Sequence, residues 1–218
     1  MHLQTVCNEL NLQSAPFNHS GVAYSGYLSV NKAGSGLAFI FYGKEGAAKE
    51  ELKNYPTVIW LNGGPGSSSQ LGNFMELGPE FVKPATMAPY EIKANEYTWV
   101  KSYNVLFVDQ PVGTGLSYAD PNYQPTPYCS NMSDVANDFY YALQELYFSS
   151  NGCFNQLGIT GDKPLFIFGE SYAGKYAPAI GSKIKQEQRD KQGKITGLKG
   201  VAIGDGFTHP AFILSQVG

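Results

Sequence analysis

The 218-residue chain has no excess of basic charge. Its 15 Lys and Arg residues are outnumbered by 18 Asp and Glu residues, which gives a formal net charge of -3 and a sequence pI of about 5.6. No stripe of Lys or Arg appears along the chain. Binding to a phosphate backbone requires a basic field, so the composition argues against nucleic acid as a partner.

Long apolar runs are also missing. No stretch reaches the roughly 18 residues that a membrane-spanning helix needs. Residues 1–4 lack the charged-then-apolar layout of a signal peptide. We therefore expect this chain to hold no membrane span and no export signal.

Cysteine is scarce and carries no metal motif. Cys7, Cys129 and Cys153 have no metal-ligand spacing, so a zinc site is disfavoured. The odd count leaves at least one thiol without a partner in this chain. A Cys129–Cys153 disulfide would join the ends of the intervening helix, and three free buried thiols are the equally weighted alternative.

The apolar residues predict one α/β domain. With 43% hydrophobic residues the chain can bury a sizeable core. Short apolar runs at 57–61, 105–108, 165–168 and 200–203 predict strands buried on both faces of a mostly parallel sheet. Residues 24–30 and 37–42 predict a hairpin, because a polar segment separates them.

Two helices are predicted between and after these strands. The first has one apolar face and begins at Asn131 or Ser133 as the N-terminal cap. Its face comprises Val135, Phe139, Leu143 and Leu146. The second runs from Tyr172 to about Lys185, with a kink expected at Pro178.

A serine lies where the third of these strands should turn into the second helix. The segment Gly169-Glu170-Ser171-Tyr172-Ala173-Gly174 follows the apolar strand directly, which is the layout of a nucleophile elbow. Gly169 and Ala173 are small because larger side chains two residues either side of Ser171 would collide in so sharp a turn. Ser171 is the candidate nucleophile. The alternative is an ordinary turn in which the serine caps the helix.

A glycine-rich loop follows the strand at 57–61. Its sequence is Asn62-Gly63-Gly64-Pro65-Gly66-Ser67-Ser68-Ser69. In this fold class such a loop supplies one N–H group of the oxyanion hole, and the residue after the nucleophile supplies the other. The predicted donors are Gly64 and Tyr172. The alternative, a flexible Gly/Ser linker, is disfavoured by Pro65 in the loop and Trp60 beside it.

A nucleotide hydrolase is the rival interpretation. Gly169-x-x-x-x-Gly174-Lys175 follows a phosphate-loop pattern up to its last position, and Asp109 ends an apolar strand as a magnesium-binding Asp would. Tyr176 replaces the Ser or Thr that binds magnesium, and the Asp strand precedes the loop instead of following it. We therefore expect Asp109 to shape the turn beside the cleft.

Five segments together resemble the serine carboxypeptidase family, in the order in which that family has them. The resemblance spans nearly all of the chain from Tyr24 onward, and Gly204-Asp205-Gly206 is most similar to the vitellogenic carboxypeptidase-like branch. The matching segments are residues 60–69, 76–79, 104–118, 169–176 and 202–206.

This resemblance implies the site and the substrate. It implies an α/β-hydrolase fold that hydrolyses the last peptide bond of peptides or proteins at acidic pH, with helices on both faces of the sheet and no cofactor or metal. Asn62, Glu76 and Glu170 would bind the free carboxylate of the substrate, with Trp60 packed beside them. Two close carboxyl groups cannot both ionise easily, so one stays protonated and can donate a hydrogen bond to a third. Without the resemblance, Glu76 and Glu170 would be interpreted as solvated surface residues.

The triad partners of Ser171 are expected outside this chain. In this fold the acid and the histidine follow the serine, and His209 is the only histidine after it, at a place where the family has no catalytic histidine. We therefore expect residues 1–218 to be the N-terminal portion of one carboxypeptidase domain, inactive alone. An acyltransferase that uses the same serine and a non-catalytic peptide-binding product are the alternatives.

The resemblance also implies a cellular location and an assembly. The family is lysosomal, vacuolar or secreted, and the full-length enzyme would be able to form a homodimer. Asn18-His19-Ser20 and Asn131-Met132-Ser133 are glycosylation acceptor sequences, in agreement with that route.

Overall fold

The computed structural model describes residues 5–10, 19–83 and 91–215. The strands in this part of the chain are β1 (Val6–Leu10), β2 (Ala23–Ser29), β3 (Gly36–Tyr42), β4 (Thr57–Leu61), β5 (Glu80–Lys83), β6 (Glu91–Ala94), β7 (Asn104–Val108), β8 (Leu165–Glu170) and β9 (Leu198–Gly204). The helices are α1 (Gln70–Gly72), α2 (Met132–Phe148), α3 (Cys153–Gln156), α4 (Ala173–Lys191) and α5 (Pro210–Ser215). A π-helical segment, Asn73–Leu77, continues α1, and Lys49–Asn54 and Trp99–Lys101 are 3₁₀ segments.

The described strands form a mixed main sheet in the order β1-β2-β3-β7-β4-β8-β9. The pairs β1–β2, β2–β3 and β3–β7 are antiparallel, whereas β7–β4, β4–β8 and β8–β9 are parallel. The chain leaves β4 toward β7 and later returns to β8 on the other side of β4. Ligands of open α/β sheets bind where the strand order reverses in this way, at the carboxyl ends of the strands. The loops after β4 and β8 meet at that place.

Burial of the strands agrees with the predicted parallel core, except at the edge. Every residue of β4 and β7 is buried, because both faces of these central strands are covered. The expectation of two buried faces is wrong for β9, which is the last strand of the described sheet. Val201 and Ile203 are each 39% exposed, in agreement with the position of β9 at the edge of the sheet.

Different kinds of element cover the two faces of the sheet. Helices α2, α3 and α4 contribute to the larger core, together with side chains from β3 and β8. The opposite face packs against Leu77, Trp99 and Val100, which belong to short helical segments. No helix in the described ranges is long and apolar enough to cross a bilayer.

The predicted local elements are confirmed with small shifts of their ends. The hairpin is the β2–β3 pair. The four residues of the predicted apolar face of α2 are all buried. Asn131 is the cap, because its side chain accepts a hydrogen bond from the Asp134 N–H at 2.9 Å. Helix α4 continues through Pro178 and ends at Lys191, beyond the predicted end near Lys185.

Both predicted arrangements of the cysteines are wrong. Cys7 and Cys153 form a disulfide with their Cα atoms 5.6 Å apart, and Cys129 is free. The bond fastens the edge strand β1 to α3, and β1 was not predicted as a strand, so Cys7 had no expected neighbour. The Cys129 thiol lies 3.3 Å from an Asp138 carboxylate oxygen, and burial raises the pKa of Cys129 to about 12.

We expect the disulfide to stabilise the fold strongly, because it closes a loop of 146 residues. Replacing both Cys7 and Cys153 by Ser should lower the free energy of unfolding by about 2–5 kcal/mol. Urea unfolding of this double variant measures the loss. Cys129→Ser is the matched control and should stay close to wild type. Equal urea midpoints for the double variant and the control, or peptide mapping that finds Cys129 bonded to Cys153, would contradict the assignment.

Candidate functional site

Ser171 follows β8 directly and has the backbone conformation of an elbow. Its φ is 57°, in the left-handed region that residues other than glycine rarely occupy. Its N–H group donates to the Gly204 carbonyl at 3.0 Å. Its carbonyl accepts from the N–H groups of Gly174 and Phe207, at 2.9 and 2.8 Å. These three hydrogen bonds hold the strained turn, and the Ser171 side chain is exposed.

Steric crowding explains the small residues around Ser171. A Cβ atom built on Gly169 would lie 2.8 Å from the Cβ atom of Ala173, closer than real Cβ atoms approach. The sharp reversal therefore requires small residues on both sides of the serine, as the sequence predicted. This geometry supports the elbow over an ordinary turn capped by Ser171, since the N-cap residue of α4 is Tyr172 and no side-chain hydrogen bond caps the helix.

The glycine-rich loop after β4 lies against this elbow. A Cβ atom on Gly63 would come within 2.3 Å of the Tyr172 backbone nitrogen and 3.0 Å of the Ser171 Cβ atom. Gly64 has a φ of 106°, which only glycine adopts without strain. The structure thus brings together the loop and the residue after Ser171, the two places from which N–H donors were predicted.

The side chain of Tyr172 is fixed by its aromatic neighbours. Its ring stacks on Phe207 with centroids 6.1 Å apart and contacts Tyr176 edge-on at 5.3 Å. The Lys175 ammonium group lies 5.0 Å from the Tyr172 ring centroid and 5.2 Å from that of Phe207. These contacts hold the residue whose N–H group is the predicted oxyanion donor.

Asn62 is buried immediately after β4, and both polar atoms of its side chain are hydrogen-bonded. Its Oδ1 atom accepts from the Trp60 Nε1–H at 2.8 Å and from the Gly72 N–H at 3.1 Å. These two donors fix the orientation of the amide, so Nδ2 must point the other way. Nδ2 donates to Glu170 Oε2 at 3.2 Å. The predicted residues Trp60, Asn62 and Glu170 therefore form one connected group beside Ser171.

Glu76 joins this group from the π-helical segment. Glu76 is exposed, and its carboxyl group interacts with that of Glu170. Partial burial raises the pKa of Glu76, the charge of Glu170 and a hydrogen bond with it raise the pKa further, and the Asn62 amide opposes the shift. A carboxyl group that keeps its proton above its ordinary range can donate a hydrogen bond to an anion.

Asp109 is buried between the glycine-rich loop and the turn that follows β7. Its carboxylate accepts from Ser68 Oγ–H at 2.7 Å, Ser69 N–H at 2.8 Å and Leu116 N–H at 2.9 Å. The prediction that Asp109 shapes the turn beside the cleft is confirmed. Its oxygens are committed to protein donors, which removes the last support for a magnesium-binding Asp.

Sequence reasoning missed two partners of Asn62. The Ser69 hydroxyl accepts a hydrogen bond from the Asn62 N–H at 3.1 Å, and the Gly72 N–H donates to the amide. Ser69 stands at the N-cap position of the short helix α1, but its side chain makes no capping hydrogen bond there. No sequence signal could have identified the Gly72 contact, because it depends on how α1 folds back over β4.

Other predicted residues lie away from this group. Asn131 is exposed and caps α2, and Asn18 lies outside the described residues. His209 is exposed, and its Nδ1 atom accepts from the Phe212 N–H at 3.4 Å. Among the described residues, no histidine hydrogen-bonds to Ser171, and no group of three or more His, Cys, Asp and Glu side chains is placed to hold a metal ion.

One solved structure has a similar fold over almost the whole chain. The crystal structure of Kex1Δp, a prohormone-processing carboxypeptidase from Saccharomyces cerevisiae, superposes with a TM-score of 0.71 at 22% sequence identity. The match covers 95% of this chain and 45% of that chain. The fold is therefore that of an α/β-hydrolase, as predicted.

Three relatives from different organisms are similar at the sequence level. The pheromone-processing carboxypeptidase kex1 of Schizosaccharomyces japonicus is 37% identical over 92% of this chain, and the "Probable serine carboxypeptidase CPVL" of Pongo abelii is 37% identical over 94%. The venom serine carboxypeptidase of Apis mellifera is 39% identical over 86%. The chain spans 34%, 40% and 36% of the length of these proteins.

These similarities settle the family but not the branch within it. The kex1 and CPVL proteins are equally similar to this chain, so the branch suggested by Gly204-Asp205-Gly206 stays a prediction. The family model for serine carboxypeptidases matches residues 14–216, nearly the entire sequence. The chain therefore belongs to the serine carboxypeptidase family.

Proposed function

We propose that this chain carries the nucleophile and the substrate-carboxylate site of a serine carboxypeptidase. The observation that carries the proposal is the hydrogen bond from Asn62 Nδ2 to Glu170 Oε2, at 3.2 Å. Glu170 is the residue immediately before Ser171. A group that binds a C-terminal carboxylate here would hold the last peptide bond close to the serine, which is the geometry a carboxypeptidase needs.

Chemistry at the scissile bond follows from the elbow. Ser171 Oγ attacks the last peptide carbonyl, and its proton passes to the general base. The peptide C–N bond then breaks, the base gives the proton to the leaving amine of the C-terminal amino acid, and the rest of the peptide stays on Ser171 as an acyl-enzyme. Water hydrolyses this ester and releases the shortened peptide. The N–H groups of Gly64 and Tyr172 would stabilise the oxyanion. The approach of Gly63 to the Tyr172 nitrogen supports this assignment, because Gly64 is the next residue of the same loop. The reaction needs no cofactor.

The carboxylate site favours acid. When Glu76 is protonated it can donate to the substrate carboxylate, while Asn62 Nδ2 offers a second donor. When Glu76 is ionised, its charge and that of Glu170 repel the substrate. Because the pKa of Glu76 is raised, the binding form persists to a higher pH than for an ordinary glutamate, and binding is lost as the pH rises through that raised pKa.

The general base that activates Ser171 is not one of the carboxylate-site residues Asn62, Glu76 and Glu170. Ser171 has no histidine partner among the described residues, and the chain spans 34–40% of the length of the relatives in the comparison. We therefore propose that the histidine and acid of the triad belong to the part of the enzyme that this sequence does not span. A serine without a base keeps its resting pKa and is a poor nucleophile.

The disulfide supports passage through an oxidising compartment. Bonds such as Cys7–Cys153 persist in secreted and lumenal proteins and are rare in the cytosol. We propose that the protein is lysosomal, vacuolar or secreted, and that peptide and protein C-termini are its substrates. A homodimer of the full-length enzyme stays a prediction.

Binding of a free C-terminus tests the carboxylate site directly. Both tryptophans of the chain, Trp60 and Trp99, contact each other edge to face with ring centroids 5.7 Å apart, and Trp60 donates a hydrogen bond to Asn62, so tryptophan emission reports on this site. We expect an N-blocked dipeptide with a free carboxylate to bind more tightly at acidic pH than the same dipeptide as an amide. Equal affinities would contradict the proposed function.

Glu76→Gln should weaken that binding and flatten its pH dependence. The amide cannot lose a proton, so the loss of affinity between acidic and neutral pH should largely disappear. Glu170→Gln should act in the same direction. Dissociation constants for the free-acid dipeptide across this pH range measure the effect, with the exposed Glu50→Gln as the control. A wild-type pH profile in both site variants would rule out the carboxylate pair.

Residues 1–218 alone should show little or no turnover. The oxyanion donors and binding site fall short of a complete triad by several orders of magnitude. The measurement is hydrolysis of blocked dipeptides from acidic to neutral pH, beside Ser171→Ala. In a full-length enzyme, Ser171→Ala should abolish hydrolysis and keep binding. Clear serine-dependent hydrolysis by residues 1–218 would show that a base is present, and His209→Ala would be the first variant to make.

Asn131 should carry an N-glycan after expression in a eukaryotic secretory host. Ser133→Ala removes the acceptor sequence and keeps the Asn131 cap of α2, so it separates glycosylation from helix stability. We expect a glycosidase-sensitive mass at the Asn131 peptide of the wild type and none in Ser133→Ala. An unmodified Asn131 peptide in the wild type would contradict passage through a glycosylating compartment or access to this site.

A further inference from the structure

Asp109 is a charged group that the proposed reaction does not use. Asp109 is fully buried, with 0% of its surface exposed. Burial of an isolated carboxylate costs free energy of folding. No Lys or Arg of the described ranges forms an ion pair with it. Three hydrogen-bond donors compensate its burial instead: Ser68 Oγ, Ser69 N and Leu116 N. Burying a carboxylate and supplying three donors for it is more than a turn needs, which indicates a further role of Asp109.

The position of this carboxylate is tightly fixed. Gly115 has a φ of 53°, and a Cβ atom at that residue would come within 2.2 Å of Asp109 Oδ2. The Asp109 carbonyl accepts from Ser117 Oγ at 2.5 Å, and the same hydroxyl accepts from the Ala38 N–H in the neighbouring strand. The carboxylate is thus anchored to the sheet and to the loop that follows β7.

A continuous set of hydrogen bonds leads from Asp109 to the substrate-carboxylate site. Asp109 Oδ1 accepts from the Ser69 N–H, and Ser69 Oγ accepts from the Asn62 N–H at 3.1 Å. Ser69 is 1% exposed, so water cannot readily replace either contact. The Asn62 side chain then reaches Glu170. Ser69 closes the glycine-rich loop onto its own first residue, and Asp109 holds Ser69 in place.

We propose that Asp109 is a positioning residue for recognition of the substrate carboxylate, acting through Ser69 on Asn62. Through Ser69 it fixes the backbone position of Asn62, while the Trp60 Nε1–H and the Gly72 N–H orient the side-chain amide. The inference rests on the proposed function, because it assigns Asp109 a role in the same site. Loss of Asp109 should therefore reduce discrimination between a free carboxylate and an amide, in addition to any loss of stability.

Two variants break the connection at different points. Asp109→Asn keeps the shape of the side chain, but its amide can no longer accept from all three donors. Ser69→Ala removes only the acceptor of the Asn62 N–H and leaves the Ser69 N–H on Asp109. Ser69→Ala is the smaller change. It therefore still tests the proposal if the Asp109→Asn variant does not fold.

Each variant has a matched control away from the site. Asp138 is a buried aspartate, 4% exposed, that accepts from Lys32 at 2.7 Å, so Asp138→Asn controls for loss of a buried carboxylate. Ser35 is 1% exposed, and its hydroxyl accepts from the Asp120 N–H at 3.0 Å, so Ser35→Ala controls for Ser69→Ala.

The measurement is the ratio of two dissociation constants at acidic pH, for the amidated and the free-acid dipeptide, followed by tryptophan emission. A general loss of folded protein changes both constants alike and leaves the ratio unchanged. We expect Asp109→Asn and Ser69→Ala to lower the ratio roughly tenfold, the effect of leaving one buried donor unpaired. Asp138→Asn and Ser35→Ala should keep the wild-type ratio.

The outcomes separate this inference from the proposed function. A wild type that does not discriminate between the two dipeptides would overturn the carboxylate site and the role of Asp109 with it. A second outcome is that the wild type, Ser69→Ala and folded Asp109→Asn all discriminate equally well between the two dipeptides. That result would overturn the role of Asp109 and leave the carboxylate site in place. A fall confined to these two variants supports it.

Discussion

The hydrogen bond between Asn62 and Glu170 connects the two loops from which the site is built. Asn62 follows β4 and begins the glycine-rich loop, whereas Glu170 ends β8 and precedes the strained Ser171. Parallel pairing of β4 with β8 brings both strand ends to one edge of the sheet. The side-chain contact then fixes how the loop faces the elbow. In the proposed function, this contact joins the candidate nucleophile and oxyanion donors to the residues that would select a substrate by its C-terminus.

The charges of the carboxyl groups beside Asn62 make substrate binding at this site, as proposed, dependent on pH. Partial burial raises the pKa of Glu76, and the neighbouring charge of Glu170 raises it further. Asp109 has the opposite character: its carboxylate is fully buried and takes hydrogen bonds from three donors. The site thus combines an exposed carboxyl group with a raised pKa, Glu76, and a buried carboxylate, Asp109, that accepts hydrogen bonds from the surrounding backbone. The account assigns recognition to the first and rigidity to the second.

Local features of this molecule could be predicted from the sequence, and long-range ones could not. The elbow at Ser171 was predictable because steric crowding in a sharp turn constrains its immediate neighbours. Glu76 could be assigned only through the family resemblance, since an exposed glutamate on a short helix has no distinctive pattern. The Cys7–Cys153 bond depends on the pairing of an edge strand that the sequence did not reveal. Exposure of β9 likewise depends on its place at the edge of the described sheet, which the apolar composition of the strand does not encode.

A crystal structure with a bound N-blocked dipeptide that has a free C-terminus, grown at acidic pH, tests the central claim most directly. The account predicts the peptide carboxylate within hydrogen-bonding distance of Asn62 Nδ2 and the Glu76 carboxyl group. It also predicts the last peptide carbonyl directed at the N–H groups of Gly64 and Tyr172, with Ser171 Oγ beside the carbonyl carbon. A dipeptide bound elsewhere, or bound with its carboxylate away from Asn62 and Glu76, would contradict the account.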